Sequence, residues 1–271
     1  NSEIRKNRMT DNIQFFFGSE KGKLERREQR ELLPLQPGQV RVQINASGVC
    51  HSDCLASASK MFPEIKYPRV PGHEIAGVIT EVHDSVKDQW RVHDRVACGW
   101  NGFYCNLCDC CRKGDFLSCE MNMVTGVHFD GGYQKIANLY ACSLARIPDH
   151  LDFLTAAPLV CAGTTVFTAL KAVKKPAGST VAIFGVGGLG HLGIQFARKM
   201  GFYVIAMNRG DDKRDICLEL GAHEYINTDA EQDLAMRLKK NFAPLGHVSG
   251  MTGRAAPSES LMAGEQAPSG G

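Results

Sequence analysis

Residues 179–201 read STVAIFGVGGLGHLGIQFARKMG, an apolar β-type run, a glycine-rich turn and a helix in immediate succession. Along the helix Leu189, Leu192, Gly193, Phe196, Ala197 and Met200 recur at i, i+3, i+4, i+7, i+8 and i+11, one apolar face, and Gly201 is placed to end it. In the turn, Gly185, Gly187 and Gly190 fill G-x-G-x-x-G, with Gly188 and Leu189 opening the helix. Such a turn lets backbone N–H groups and the helix N-terminus meet a pyrophosphate. A lone match is weak; its place between a strand and a helix makes it a dinucleotide-binding pattern rather than only a tight turn.

Toward the C-terminus the same rhythm continues. FYVIAMN (202–208) predicts the next strand, DDKRDICLEL (211–220) a helix ended by Gly221, HEYIN (223–227) a third strand and DAEQDLAMRLKK (229–240) a third helix. Alternating β and α units predict an α/β fold with a parallel, doubly wound sheet. The end of the second strand decides the nucleotide: an acidic residue there holds a ribose 2′-hydroxyl, a nearby arginine accommodates a 2′-phosphate. Here Asn208 is uncharged and Arg209 or Lys213 is available to a phosphate, with Asp211 and Asp212 further on, which favours NADP over NAD. The bland reading of Arg209 is a solvated surface residue.

Toward the N-terminus the pattern is different. From Gln39 to Ala141, short runs such as VRVQINASGV (40–49), EIAGVITEV (74–82) and DRVACGW (94–100) alternate with Pro, Gly and Asp turns, so this part reads as a β-rich domain. The domains expected are 36–150 and 151–240. Residues 1–35, with a charge run after Phe15-Phe16-Phe17, read as a solvated, poorly ordered or divergent segment, and 241–271, rich in Gly, Ser, Ala and Pro, as a disordered tail.

The β-rich part carries CNLCDCCRKGDFLSC (105–119), in which Cys105, Cys108, Cys111 and Cys119 follow C-x₂-C-x₂-C-x₇-C. Four thiolates so spaced can close a tetrahedron around zinc with no position left for water, a structural site. Iron–sulfur ligation fits less well, because its fourth cysteine follows after three residues and precedes proline; redox thiols, or Cys110 in place of Cys111, are further readings. Cys50, His73 and Cys161 form a second, dispersed set. Two cysteines and a histidine leave the fourth zinc position open, the catalytic arrangement, although lone Cys and His residues are more often only packed.

Composition bounds the rest. The chain has 271 residues, 44% of them apolar and 22% charged, and its net charge of +2 is not gathered in a stripe. A small-molecule substrate is therefore expected, with neither nucleic acid nor a membrane as partner. No apolar run nears the roughly 18 residues of a membrane span and no leader pattern opens the chain, so a cytoplasmic protein is expected. The clustering of eleven cysteines suits metal binding in a reducing compartment.

Taken together, PGQVRVQINASGVCHSD, YPRVPGHEIAGVI, CNLCDCCRKGDFLSCE, VTGVHFDGGY, AAPLVCAGTTVF and VAIFGVGGLGHLGIQFA resemble the zinc-dependent alcohol dehydrogenases of the medium-chain dehydrogenase/reductase family, over roughly residues 37–228. The resemblance implies a GroES-like β-barrel beside a Rossmann domain, two zinc ions per chain, and hydride transfer between an alcohol, aldehyde or ketone and NAD(P). It implies catalytic zinc at Cys50, His73 and Cys161, a proton relay starting at Ser52, His51 near the cofactor, Asp53 orienting the histidine ligand, Glu74 beside the metal and Thr165 near the nicotinamide. Without it, Ser52 and Asp53 read as helix caps.

The chain also departs from the family. His83 and His93 stand where members usually have glycine, and if those turns need positive φ each substitution costs about 1 kcal/mol. The N-terminal charge run replaces the barrel's first strand, and the chain reads as C-terminally truncated, with half a nucleotide sheet and an exposed edge on its first strand. A catalytically inactive zinc-binding remnant is therefore the alternative function; a homo-oligomer is possible.

Overall fold

The computed structural model describes residues 12–17, 23–29, 32–57, 62, 65–234, 236–238 and 247–250. The chain divides into two compact units, Asn1–Cys161 and Ala162–Gly271, where the change of rhythm in the sequence falls at about Leu151.

In chain order the first unit holds β1 (Asn12–Phe17), β2 (Leu24–Gln29), β3 (Gln39–Ser47), α1 (His51–Ser57), β4 (Ile75–Val82), β5 (Arg95–Cys98), β6 (Asn101–Phe103), α2 (Asp109–Arg112), β7 (Met123–Val124), β8 (Ile136–Tyr140), β9 (Leu144–Arg146) and α3 (Phe153–Pro158). Its main sheet is antiparallel in the order β8-β3-β4-β5-β9. Val40, Val42, Ile75, Ile79, Val96 and Leu139 are buried from these strands into one core. Alternation along the strands supplies that face, since successive side chains point to opposite sides.

Within 12–29 the structure departs from the expectation of a poorly ordered charge run, while residues 1–11, 18–22, 30 and 31 lie outside those described. β1 and β2 pair in antiparallel register from Asn12↔Gln29 to Phe17↔Leu24, so LERREQ is a strand. The Phe15 N–H donates to Tyr133 O (2.8 Å) and the Lys135 N–H to Ile13 O (3.1 Å), which attaches β1 to the body of the unit. The bonds are made by main chain, whereas periodicity reports only side-chain burial.

Of the two unusual histidines, only His93 has positive φ (77°). His83 has φ −66° and caps a short 3₁₀ turn, its Nδ1 accepting from Ser85 N, so no strain attaches to it. His93→Gly is expected to stabilise the protein by about 1 kcal/mol. An unchanged or lower denaturation midpoint would show that contacts of the imidazole offset the backbone relief.

In the second unit, α4 (Thr164–Ala172), β10 (Thr180–Phe184), α5 (Gly188–Lys199), β11 (Tyr203–Asn208), α6 (Arg214–Glu219), β12 (Glu224–Asn227) and β13 (His247–Gly250) follow in sequence. Their sheet is parallel, in the order β12-β11-β10-β13. Val181, Ile183, Val204 and Ala206 pack on one face with Ile194 and Ala197 of α5. Ala182, Ile205 and Met207 pack on the other with Leu238. Burial on both faces is why these strands are continuous apolar runs.

β13 corrects the reading of the tail. It pairs with β10 from Val181↔His247 to Phe184↔Gly250, so the first strand's edge is covered. The other residues beyond 240 lie outside those described.

A further correction concerns apolar length. Phe153–Ala172 is one helical stretch of 20 residues with mean hydropathy 1.7, long and apolar enough by those measures to cross a membrane. Pro158, Gly163 and four threonines interrupt its apolar run in the sequence. Ala156, Ala157, Val166 and Leu170 are buried in protein cores.

Candidate functional site

Three separate segments of the first unit converge on one point. Cys50 precedes α1, His73 and Glu74 lie in the turn before β4, and Cys161 sits in a π-helical turn, Leu159–Gly163, that follows α3. One donor atom from each of the four lies within 4.8 Å of the others. His73 is buried, its Nε2 3.2 Å from Cys161 Sγ and its ring edge-on to Trp100 at 4.9 Å.

Both carboxylate oxygens of Asp53 are engaged. Its Oδ1 is 2.9 Å from His73 Nδ1, and its Oδ2 accepts from the Cys50 N–H at 3.0 Å. Oδ2 thus caps the start of α1 while Oδ1 faces the imidazole. Ser52, partly buried, and His51, exposed, lie in the first turn of α1.

The electrostatics follow from this crowding. Hydrogen bonds from Cys161 and then His73 draw Cys50 down to about 3, while the bond with Cys50 and burial drive Cys161 upward. Burial pulls His73 down, yet its bonds to Asp53 and Cys50 outweigh it and push it up to about 9. Asp53 is held low despite burial, mainly by His73. Burial and the Cys50 charge raise Glu74.

The second cluster is local. One sulfur from each of Cys105, Cys108, Cys111 and Cys119 lies within 4.8 Å of the others, and Cys110 is not in the group. Backbone N–H groups point at these sulfurs: Leu107 and Cys108 donate to Cys105, and Cys105 and Met121 to Cys119, each at 3.4 Å. The Leu107 and Cys108 amides hold the Cys105 thiol low, and the Cys111 and Glu120 amides bring Cys108 to about 6.

In the second unit the glycine-rich turn joins β10 to α5 as the sequence predicts, with Gly187 the N-cap and Gly188 the first helical residue. Gly190 is tightly enclosed, for a Cβ there would lie 2.2 Å from Gly185 O, whereas Gly187 and Gly188 face open space. Lys213 Nζ donates to Val186 O (2.7 Å) and Asn208 Oδ1 accepts from Val186 N (3.3 Å), so both brace the turn. Arg209 is exposed, and so is Thr165, which lies on α4 in this second unit.

Two family models match: "Alcohol dehydrogenase GroES-like domain" over residues 36–149 and "Zinc-binding dehydrogenase" over 188–262. The chain is a member of the medium-chain dehydrogenase/reductase family. Among members of that family, it is 40% identical over 218 residues to alcohol dehydrogenase patD of Aspergillus clavatus, covering 80% of this chain and 55% of that one. It is 42% identical to an alcohol dehydrogenase of Geobacillus stearothermophilus over 190 residues, 70% of this chain and 56% of the relative. The chain thus spans a little over half the length of these relatives. Its fold resembles the CAD of Helicobacter pylori complexed with NADP(H), with a TM-score of 0.70 and 28% identity over 80% of this chain and 64% of that one.

Two residues of this family member escape sequence reasoning. Tyr133 Oη donates to Asp53 Oδ2 at 2.7 Å, and Trp100 flanks His73. Tyr133 stands in the VTGVHFDGGY motif, but only the fold brings it to a carboxylate 80 positions away.

Proposed function

We propose that this chain performs zinc-dependent hydride transfer between a primary or secondary alcohol, or the matching aldehyde or ketone, and NAD(P). The observation that carries the reading is the convergence of Cys50, His73 and Cys161, with Glu74, within 4.8 Å. Two sulfurs and an imidazole suit a borderline-soft, tetrahedral ion, and Asp53 on Nδ1 leaves Nε2 as the donor. Cys50, His73 and Cys161 would hold the catalytic zinc, and Cys105, Cys108, Cys111 and Cys119 a structural one. When bound, the zinc supplies Lewis acidity at the substrate oxygen and the nicotinamide carries the hydride.

The remaining work falls to side chains. Ser52 would exchange the proton of the substrate hydroxyl, and His51, exposed beside it, would pass that proton toward solvent. Glu74, raised by burial, offers a fourth donor within reach of the other three. Thr165 would lie near the nicotinamide, as the family resemblance implies.

NADP is the favoured nucleotide. Asn208 brings no charge to repel a 2′-phosphate, Lys213 is engaged with Val186 O, and Arg209 is the exposed cation next to the turn. The choice rests on these residues, since solved relatives of equal identity, 28%, hold NADP(H) in one case and NAD in another.

The test is metal content together with NADPH and NADH oxidation by an aldehyde. About two zinc ions per chain and turnover are expected, and Arg209→Ala should raise KM for NADPH about tenfold with little effect on NADH. Unchanged NADPH affinity would remove the phosphate contact. Bound zinc without turnover would turn the reading toward a binding protein.

A further inference from the structure

Tyr133 lies in a segment sewn to the turn that carries His73. Gly131 N donates to Val70 O (2.7 Å), Gly132 N to Gly72 O (2.8 Å) and Tyr133 N to Pro71 O (3.0 Å). Arg69 Nη1 pairs with Asp130 Oδ1 at 2.8 Å in the same seam. The Tyr133 ring rests against Gly72, where a Cβ would come within 2.6 Å of Cδ1. Its position relative to Asp53 is therefore set by backbone and not by a flexible loop.

The Asp53 carboxylate has unequal ends. Oδ2 receives two donors, Tyr133 Oη at 2.7 Å and the Cys50 N–H at 3.0 Å, while Oδ1 faces His73 Nδ1 at 2.9 Å. A carboxylate can turn about its last side-chain bond, and that torsion is soft. Two donors on Oδ2 from separate segments stop the turn and keep Oδ1 on the imidazole. The ring then has one tautomer and one orientation, with Nε2 directed at the sulfur donors.

We propose that the Tyr133 hydroxyl is a positioning group for the metal centre, acting through Asp53 to hold His73 in its ligating orientation. This rests on the reading of Cys50, His73 and Cys161 as metal donors. It goes beyond that reading, because it gives the hydroxyl a task that the aromatic ring alone does not perform. Outer partners of metal-bound histidines are worth about 10- to 100-fold in affinity, and a hydroxyl one bond further out belongs at the lower end.

The experiment compares the full chain with Tyr133→Phe, which keeps the ring on Gly72 and removes only the oxygen. Each is loaded with zinc for chelator competition and with cobalt(II) for its visible spectrum. The expected result is that Tyr133→Phe keeps the four-cysteine ion, loses the other ion to chelator about tenfold more readily, and shows displaced cobalt bands. Retention of the four-cysteine ion together with an unchanged thermal denaturation midpoint certifies the fold. Equal affinity and an identical cobalt spectrum would overturn the proposal and leave the tyrosine a packing residue; loss of both ions would overturn it in favour of a role in holding the fold. A wild-type chain that takes metal only at the four cysteines would instead overturn the proposed function, and this inference with it.

Discussion

Cys161→Ala is expected to lower the metal content from about two ions per chain to about one and to abolish turnover. The residual pair, Cys50 and His73, lacks a third strong donor, and Glu74 is a poor substitute because burial favours its protonated form. Loss of the Lewis acid removes several kcal/mol of charge stabilisation, about a thousandfold or more in rate. The four-cysteine site supplies the internal control, since its donors all lie between residues 105 and 119. A variant that kept both ions would disprove the assignment of Cys161.

The same site gives the pH sign. In the metal-free protein His73 is raised from 6.5 to about 9. Its imidazolium therefore contributes stability that is full below pH 6.5 and is lost as pH rises through about 9. Metal uptake runs the other way, for it needs the neutral ring and the Cys161 thiolate.

Gly190→Val should sharply weaken nucleotide binding while leaving both metal sites filled. Its Cβ would fall 2.2 Å from Gly185 O and 3.0 Å from Gly185 C, main-chain atoms that cannot move aside without shifting the turn itself. A displaced turn withdraws the N–H groups that a pyrophosphate needs, and about a hundredfold loss of NADPH affinity is expected from fluorescence titration. Gly187→Ala is the contrast. Its Cβ meets nothing within 4 Å, so any loss of affinity there reports crowding of the ligand and not damage to the fold. Equal affinity in Gly190→Val and wild type would remove this turn from the nucleotide site.

What could be read directly from the residues was whatever is encoded close by in the chain. The four cysteines at 105–119 and the glycines of 185–190 carry their geometry in their spacing, and the structure gathers both. Cys50, His73 and Cys161 needed the family pattern, because no spacing rule connects positions up to 111 apart. Tyr133 and Asp53 illustrate the remaining gap: the bond exists only because the 130–133 segment runs beside Val70–Gly72. β1, β2 and β13 were missed for another reason. Their pairing is main chain to main chain, and neither LERREQ nor HVSG displays an apolar alternation that would announce it.

The π-helical turn Leu159–Gly163 fixes how this protein can change. A π-turn holds one residue more than an α-turn, so a single deletion there would close it into regular α-helix and carry Cys161 away from His73. Apolar composition would survive and the donor set would not. Along Phe153–Ala172, substitutions of similar volume are thus expected to be far better tolerated than any change in the number of residues, and the length of this helix is tied to the placement of Cys161.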